Sequence, residues 1–209
     1  MNGLTHLAGG VLALAGLILL LVVAGNASQT VALGVYGLSL VALYAASALY
    51  HLLPVSEAVV ARLRRVDHMM IFVLIAGTYT PVCLLALTGG WRWGLLAVIW
   101  TLALAGIVLK LRPSGMMGSY RWLSVALYLG MGWLSLAALP ATIAALPAGG
   151  MLWIVAGGGV YSLGAVVYAT RRPNPLPGTF GFHEIWHLFV MVGSACHFWA
   201  IFQYVVPLA

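Results

Sequence analysis

Between Phe180 and Phe189 the sequence reads FGFHEIWHLF, which sets His183, Glu184 and His187 inside an otherwise apolar stretch. Histidines four residues apart lie on one face of a helix, one turn from each other. Two imidazoles so placed can share one metal ion. The spelling H-E-x-x-H is also the short motif of zinc proteases, where both histidines bind the metal and the glutamate is the general base. Glu184 follows His183 directly and could reach a water held by such a metal. The protease motif leaves other polar residues without an account, however. Ser47 and His51 repeat the four-residue spacing. With His183 and His187, His51 would complete the three-histidine set of a catalytic zinc site, whose fourth position stays open to water. Asp67 could hold that water or orient a ligand from behind it. Ser47, one turn from His51, reads equally as a small helix-packing residue and as a participant in the site.

The remaining histidines read differently. His197 lies about 15 Å along the helix from His187 at 1.5 Å per residue, and a lone histidine there is expected to hydrogen-bond between helices. His68 follows Asp67 and points about 100° away from it, which suits packing or support of the site. His6 takes the same reading. Glu184 falls near the aqueous boundary, where a solvated carboxylate costs little.

These side chains need elements to carry them. The chain has 209 residues, 64% hydrophobic and 6% charged, with a mean hydropathy of +1.09. A soluble domain carries about 25% charged residues, so most of this surface must face lipid. A span takes about 20 apolar residues, and lipid offers backbone groups no partners, so helices are required. Seven spans are predicted, near 4–25, 30–53, 67–88, 92–111, 120–140, 149–170 and 182–205. The first lacks a basic start and reads as a span rather than a cleaved leader. The expected fold is an all-α polytopic bundle in a single transmembrane domain over residues 1–209.

The nine basic residues decide its direction. Arg62, Arg64, Arg65, Lys110, Arg112, Arg121, Arg171 and Arg172 fall between alternate spans, and Arg92 alone falls on the other side. The positive-inside rule puts the N-terminus in the cytoplasm and the C-terminus outside. Membrane orientation thus explains the +6 charge, and no nucleic-acid partner is expected. Val55–Arg65 reads as either a short interfacial helix or a basic loop. Cys83 and Cys196, in apolar runs, read as small core residues. Gly157-Gly158-Gly159 permits a close helix approach, within one molecule or between two. On this topology His6, His51, Asp67, His68, His183 and His187 share one layer near the cytoplasmic face.

In order and spacing these residues resemble the progestin and adipoQ receptor family in its short bacterial form, the hemolysin III-type proteins. The resemblance runs along nearly the whole chain. It includes Asn2-x-x-x-His6, Ser47-x-x-x-His51, Asp67-His68, Gly77-Thr-Tyr-Thr-Pro81, His183-x-x-x-His187 and the later His197. It implies seven helices with the N-terminus inside, and a zinc ion held by His51, His183 and His187. It also implies that Asp67 holds the zinc-bound water and that Ser47 stands near the site. Because the family does not depend on a glutamate after the first histidine of span seven, the zinc-protease spelling at Glu184 reads as accidental. Two features depart from the family. An acidic residue usual before the span-one asparagine is absent, unless the start lies upstream, and so is the large N-terminal domain of the animal receptors.

The resemblance extends to ceramidase-like amide hydrolases and implies a zinc-dependent hydrolase of amide or ester lipids at the inner leaflet of the bacterial inner membrane, contributing to membrane homeostasis. Asp67 would act as base and then acid, and Ser47 as a hydrogen-bond donor. A non-enzymatic sensor of membrane state with structural zinc is the alternative. A pore-former, implied by the hemolysin name, would need a polar stripe that the central spans lack.

Overall fold

Apolar runs of this length become helices, and the computed structural model describes them over residues 2–111, 121–176 and 179–208, with the side chains of Asn2 and Arg121 outside the description. Arg112 and the rest of the 112–120 connection therefore lie outside the described residues. Seven helical spans among the described residues are long and apolar enough to cross a membrane. They are α1 (Asn2–Val23), α2 (Ala27–Leu52), α3 (Glu57–Pro81, continued by a π-turn, Val82–Ala86), α4 (Gly89–Leu111), a broken fifth span, α7 (Ala148–Thr170) and α8 (Phe182–Ala200, continued through Leu208). The fifth span is α5 (Arg121–Gly132), a 3₁₀ stretch (Trp133–Ala138) and α6 (Leu139–Ala145). Apolar side chains face outward along the bundle, as at Leu12 (66% exposed) and Val22 (75%). Such a surface is one that lipid, not water, must cover.

Local chemistry sets the ends. Asn26 caps α2, its side chain accepting from the Gln29 amide at 2.9 Å. Pro81 cannot donate to the ladder, and just past it the chain widens into a π-turn, with Leu87 N–H bonded to Val82 O at 3.1 Å. Glu57–Arg65 is neither a separate interfacial helix nor a loop but the first turns of α3. Its Ala, Leu and Arg residues favour helix, Glu57 suits the first turn, and nothing interrupts the run into Asp67. Asp67 accordingly stands several turns inside α3 rather than at its start.

In the bundle α1 packs along α2, α2 along α3, α3 along α4 and α7 along α8, while α8 also meets α1 and closes the ring. α2 is the most enclosed span. Its Tyr36, Leu40, Leu43, Tyr44 and Ser47 are all buried at helical spacing. The end of α2 and the start of α8 therefore meet at one end of the molecule.

The Gly77–Pro81 segment fastens α3 to its neighbours. Gly77 packs directly on Ser39 of α2. Thr80 accepts from the Trp100 indole at 3.1 Å. The Tyr79 hydroxyl reaches Met131 O at 2.9 Å and Gly132 O at 2.8 Å and accepts from the Ser135 amide at 2.8 Å, which ties α3 to the break in the fifth span. Tyr79→Phe removes the hydroxyl and leaves those groups without it. A loss of about 1–3 kcal/mol is expected, read as earlier unfolding in detergent.

Candidate metal centre

His51 stands in the last turn of α2. His183 and His187 occupy the first turns of α8, whose start is held from one side: the Gly181 amide donates to Glu184 Oε2 at 2.8 Å. Glu184 is thus engaged by the backbone of its own helix start.

The three imidazoles converge. His183 Nε2 and His51 Nε2 are 3.3 Å apart, and donor nitrogens of all three residues lie within 4.8 Å of one another. Zinc–nitrogen bonds of about 2.0–2.1 Å in a tetrahedral site place the donors about 3.3 Å from each other. The His51–His183 separation already has that value, and the donor set is chemically right for zinc. The residues fit the ion.

His6 reinforces the cluster from α1. It is buried, its ring stacked on His187 with centroids 3.6 Å apart and planes 15° apart. It also meets Tyr44 edge-on at 5.1 Å. His6 is thus packed between Tyr44 and His187, and its ring covers one face of the His187 imidazole. The Asn2 side chain lies outside the described residues. Ser47 is buried beside the Asp67 carboxylate, although its hydroxyl closes no hydrogen bond of good geometry.

The other two histidines are engaged elsewhere. His68 Nδ1 lies 2.6 Å from Arg64 O, so Nδ1 is the donor and Nε2 is left to face the Tyr168 hydroxyl at 3.4 Å. His197 Nδ1 donates to Gly193 O at 2.9 Å within its own helix. Gly157 packs directly against the His197 ring, so part of the Gly157-Gly158-Gly159 run serves a contact inside this molecule. Cys83 and Cys196 are both buried and free.

A cavity of about 530 Å³ opens beside the cluster, with Ser47, Asp67, His183, His187, His197 and Trp133 among the residues of its wall. Its walls are mostly apolar, from Leu43, Ile71, Leu74 and Val190 among others. Next to it lies a polar chain that sequence reasoning did not single out: Tyr44 OH donates to Ser194 Oγ at 2.9 Å, and Tyr161 OH lies 2.8 Å from the same oxygen. The signal was present in the spacing. Tyr44 is seven residues before His51 and Ser194 seven after His187, which places each two turns along the same helix face.

Comparison with known proteins agrees with this architecture. A family model described as Haemolysin-III related matches residues 1–198. "Hemolysin-3" of Bacillus cereus is 40% identical, the alignment covering 100% of this chain and 92% of the relative. The "Hemolysin-3 homolog" of Bacillus subtilis (strain 168) is 36% identical over 98% of this chain and 93% of its own. The human "Monocyte to macrophage differentiation factor" is 28% identical, over 81% of this chain and 68% of that protein.

Proposed function

Since this chain belongs to the Haemolysin-III related family and is an integral, multi-pass membrane protein, we propose that it is a zinc-dependent hydrolase of lipids bearing an amide or ester. The observation that carries the proposal is one site: three imidazole donors within 4.8 Å of one another, two of them, on His183 and His187, on the wall of an apolar cavity that also holds Asp67 and Ser47. His51, His183 and His187 would hold the ion. When bound, zinc supplies a Lewis acid and activates water near neutral pH.

The chain's own residues do the rest. The cavity offers an acyl chain an apolar wall along Leu43, Ile71 and Val190. Asp67 takes a proton at its carboxylate and returns it to the leaving nitrogen or oxygen. Ser47 offers its hydroxyl to the oxygen on which charge develops. His6, itself backed by Tyr44, stacks on the His187 ring and keeps it from turning. We place the site at the inner leaflet of the bacterial cell membrane, because the basic residues gather at its end of the bundle, and read its role as membrane homeostasis.

A second reading has one observation in its favour. The three histidines join α2 to α8, so zinc could serve as a clip in a sensor without turnover. The experiment is reconstitution in vesicles of defined amide and ester lipids, with released acids and alcohols or amines followed by mass spectrometry. Product is expected from the wild type, lost on chelation and restored by zinc. Glu184→Gln is expected to turn over normally, since its carboxylate only caps α8; a dead Glu184→Gln would favour the protease-like role instead. No product from any lipid leaves the clip.

A further inference from the structure

Four of the nine basic residues line this one cavity. They are Arg64 and Arg65 of α3, Lys110 of α4 and Arg171, just after α7. Orientation in the membrane requires basic residues in the inner connections, but it does not require residues of α3, of α4 and of the end of α7 to border the same opening. Arg62 and Arg172 satisfy the orientation rule equally well and are absent from the wall.

The charge is not balanced within the chain. There are three acids in all. Glu184 is bonded to the cap of α8, and Glu57 opens α3 away from the cavity wall. Asp67 alone lines the cavity, beside Ser47. Lys110 is half-buried, and its ammonium donates to Ser124 Oγ at 2.6 Å, a neutral partner.

The backbone at Arg171 adds an independent observation. It adopts the left-handed conformation, φ 59 and ψ 32, at the C-cap of α7. Glycine is the usual residue there, because a Cβ is strained in that region. Arg171 thus combines a backbone conformation uncommon outside glycine with a place in the cavity wall, and outliers of this kind cluster at ligand sites.

We propose that Arg64, Arg65, Lys110 and Arg171 form a subsite for the phosphate of an anionic membrane lipid, whose acyl chain lies in the apolar part of the cavity. Guanidinium groups match phosphate in fork geometry and lysine adds a point charge. The inference rests on the lipid-hydrolase reading for its consequence, that the lipid presented to Asp67 and the histidines is a phospholipid rather than a neutral amide lipid. Binding itself does not depend on turnover.

The test uses the full chain in detergent with phosphatidic acid, phosphatidylglycerol, phosphatidylcholine, oleate and ceramide, scored by native mass spectrometry and by lipid-dependent thermal stabilisation. The two anionic phospholipids are expected to bind about tenfold more tightly than phosphatidylcholine, oleate or ceramide. Arg171→Gly is expected to abolish that preference while its lipid-free melting temperature holds or rises, since glycine relieves the strained backbone. Arg62→Gln, a charge lost outside the cavity, is expected to keep the preference. Equal binding of all five lipids overturns the subsite, as does an Arg171→Gly protein that still discriminates. Equal losses in Arg62→Gln and Arg171→Gly would reduce the effect to general surface charge and also overturn it. Selective binding without hydrolysis would refute the hydrolase and leave the subsite standing; hydrolysis of ceramide with no phosphate preference would do the reverse.

Discussion

Purified protein is expected to carry one zinc ion per chain, and His187→Gln to carry none. His187 is the most enclosed of the three candidate ligands, 2% exposed, and its ring is fixed by His6 at 3.6 Å. Removing even a partner behind a ligand typically lowers metal affinity 10–100-fold, so loss of a ligand should exceed that and empty the site during purification. Glutamine keeps most of the volume, which limits the cavity left in the core. His197→Gln is the matched control. It also lies on α8, but its Nδ1 is bonded to Gly193 O at 2.9 Å, and it is expected to retain full zinc. Metal analysis per chain gives the comparison directly. Thermal unfolding gives a second reading. An ion that joins α2 to α8 binds only the folded chain and adds about 2.7 kcal/mol at a hundredfold excess over its dissociation constant. Chelation should therefore lower the melting temperature of the wild type and leave that of His187→Gln unmoved. Full zinc in His187→Gln, or its loss from His197→Gln instead, would remove the three-histidine centre.

The donor pair on α8 was legible because spacing of four on a helix is a geometric statement by itself. So was the helical character of the chain, since apolar runs of this length leave the backbone no other way to satisfy its hydrogen bonds in lipid. His6 was harder. Its reading as packing or support of the site named no partner, because its stacking on His187 depends on α8 closing against α1. Nothing in either segment encodes that closure. Tyr79 shows the same limit: three polar atoms of the fifth span meet its hydroxyl, 52 or more residues away in sequence. Glu57–Arg65 was ambiguous for a different reason. Mixed apolar and basic residues suit a surface helix, a loop or the extension of a span, and only continuity with α3 separates them. Lys110 and Arg171 were absorbed by the orientation rule, which accounts for the number of charges at one end of a bundle and is silent about which way they face.

Asp67→Asn is expected to keep its zinc and lose turnover by about 10²–10⁴-fold, the usual contribution of a positioned acid–base group. The substitution is chosen because it changes little else. Asn has nearly the shape of Asp and retains a carbonyl oxygen to face Ser47, and Asp67 is absent from the set of histidine donors. What it loses is the ability to take a proton and give it back. A role confined to the clip reading predicts the opposite pattern, because a metal that only joins α2 to α8 needs no proton acceptor on α3. There Asp67→Asn would alter neither lipid products nor the zinc-dependent part of thermal stability. Ser47→Ala should fall between these extremes, since a single hydrogen-bond donor to developing charge is typically worth about 10²–10³-fold in rate when it is fully engaged. Here the Ser47 hydroxyl forms no well-made bond in the resting site, so a loss near or below the lower figure is expected. The order wild type, Ser47→Ala, Asp67→Asn in product release, at constant zinc, is the result that a hydrolytic site requires. Equal release from all three would show that Asp67 holds no proton that the chemistry uses.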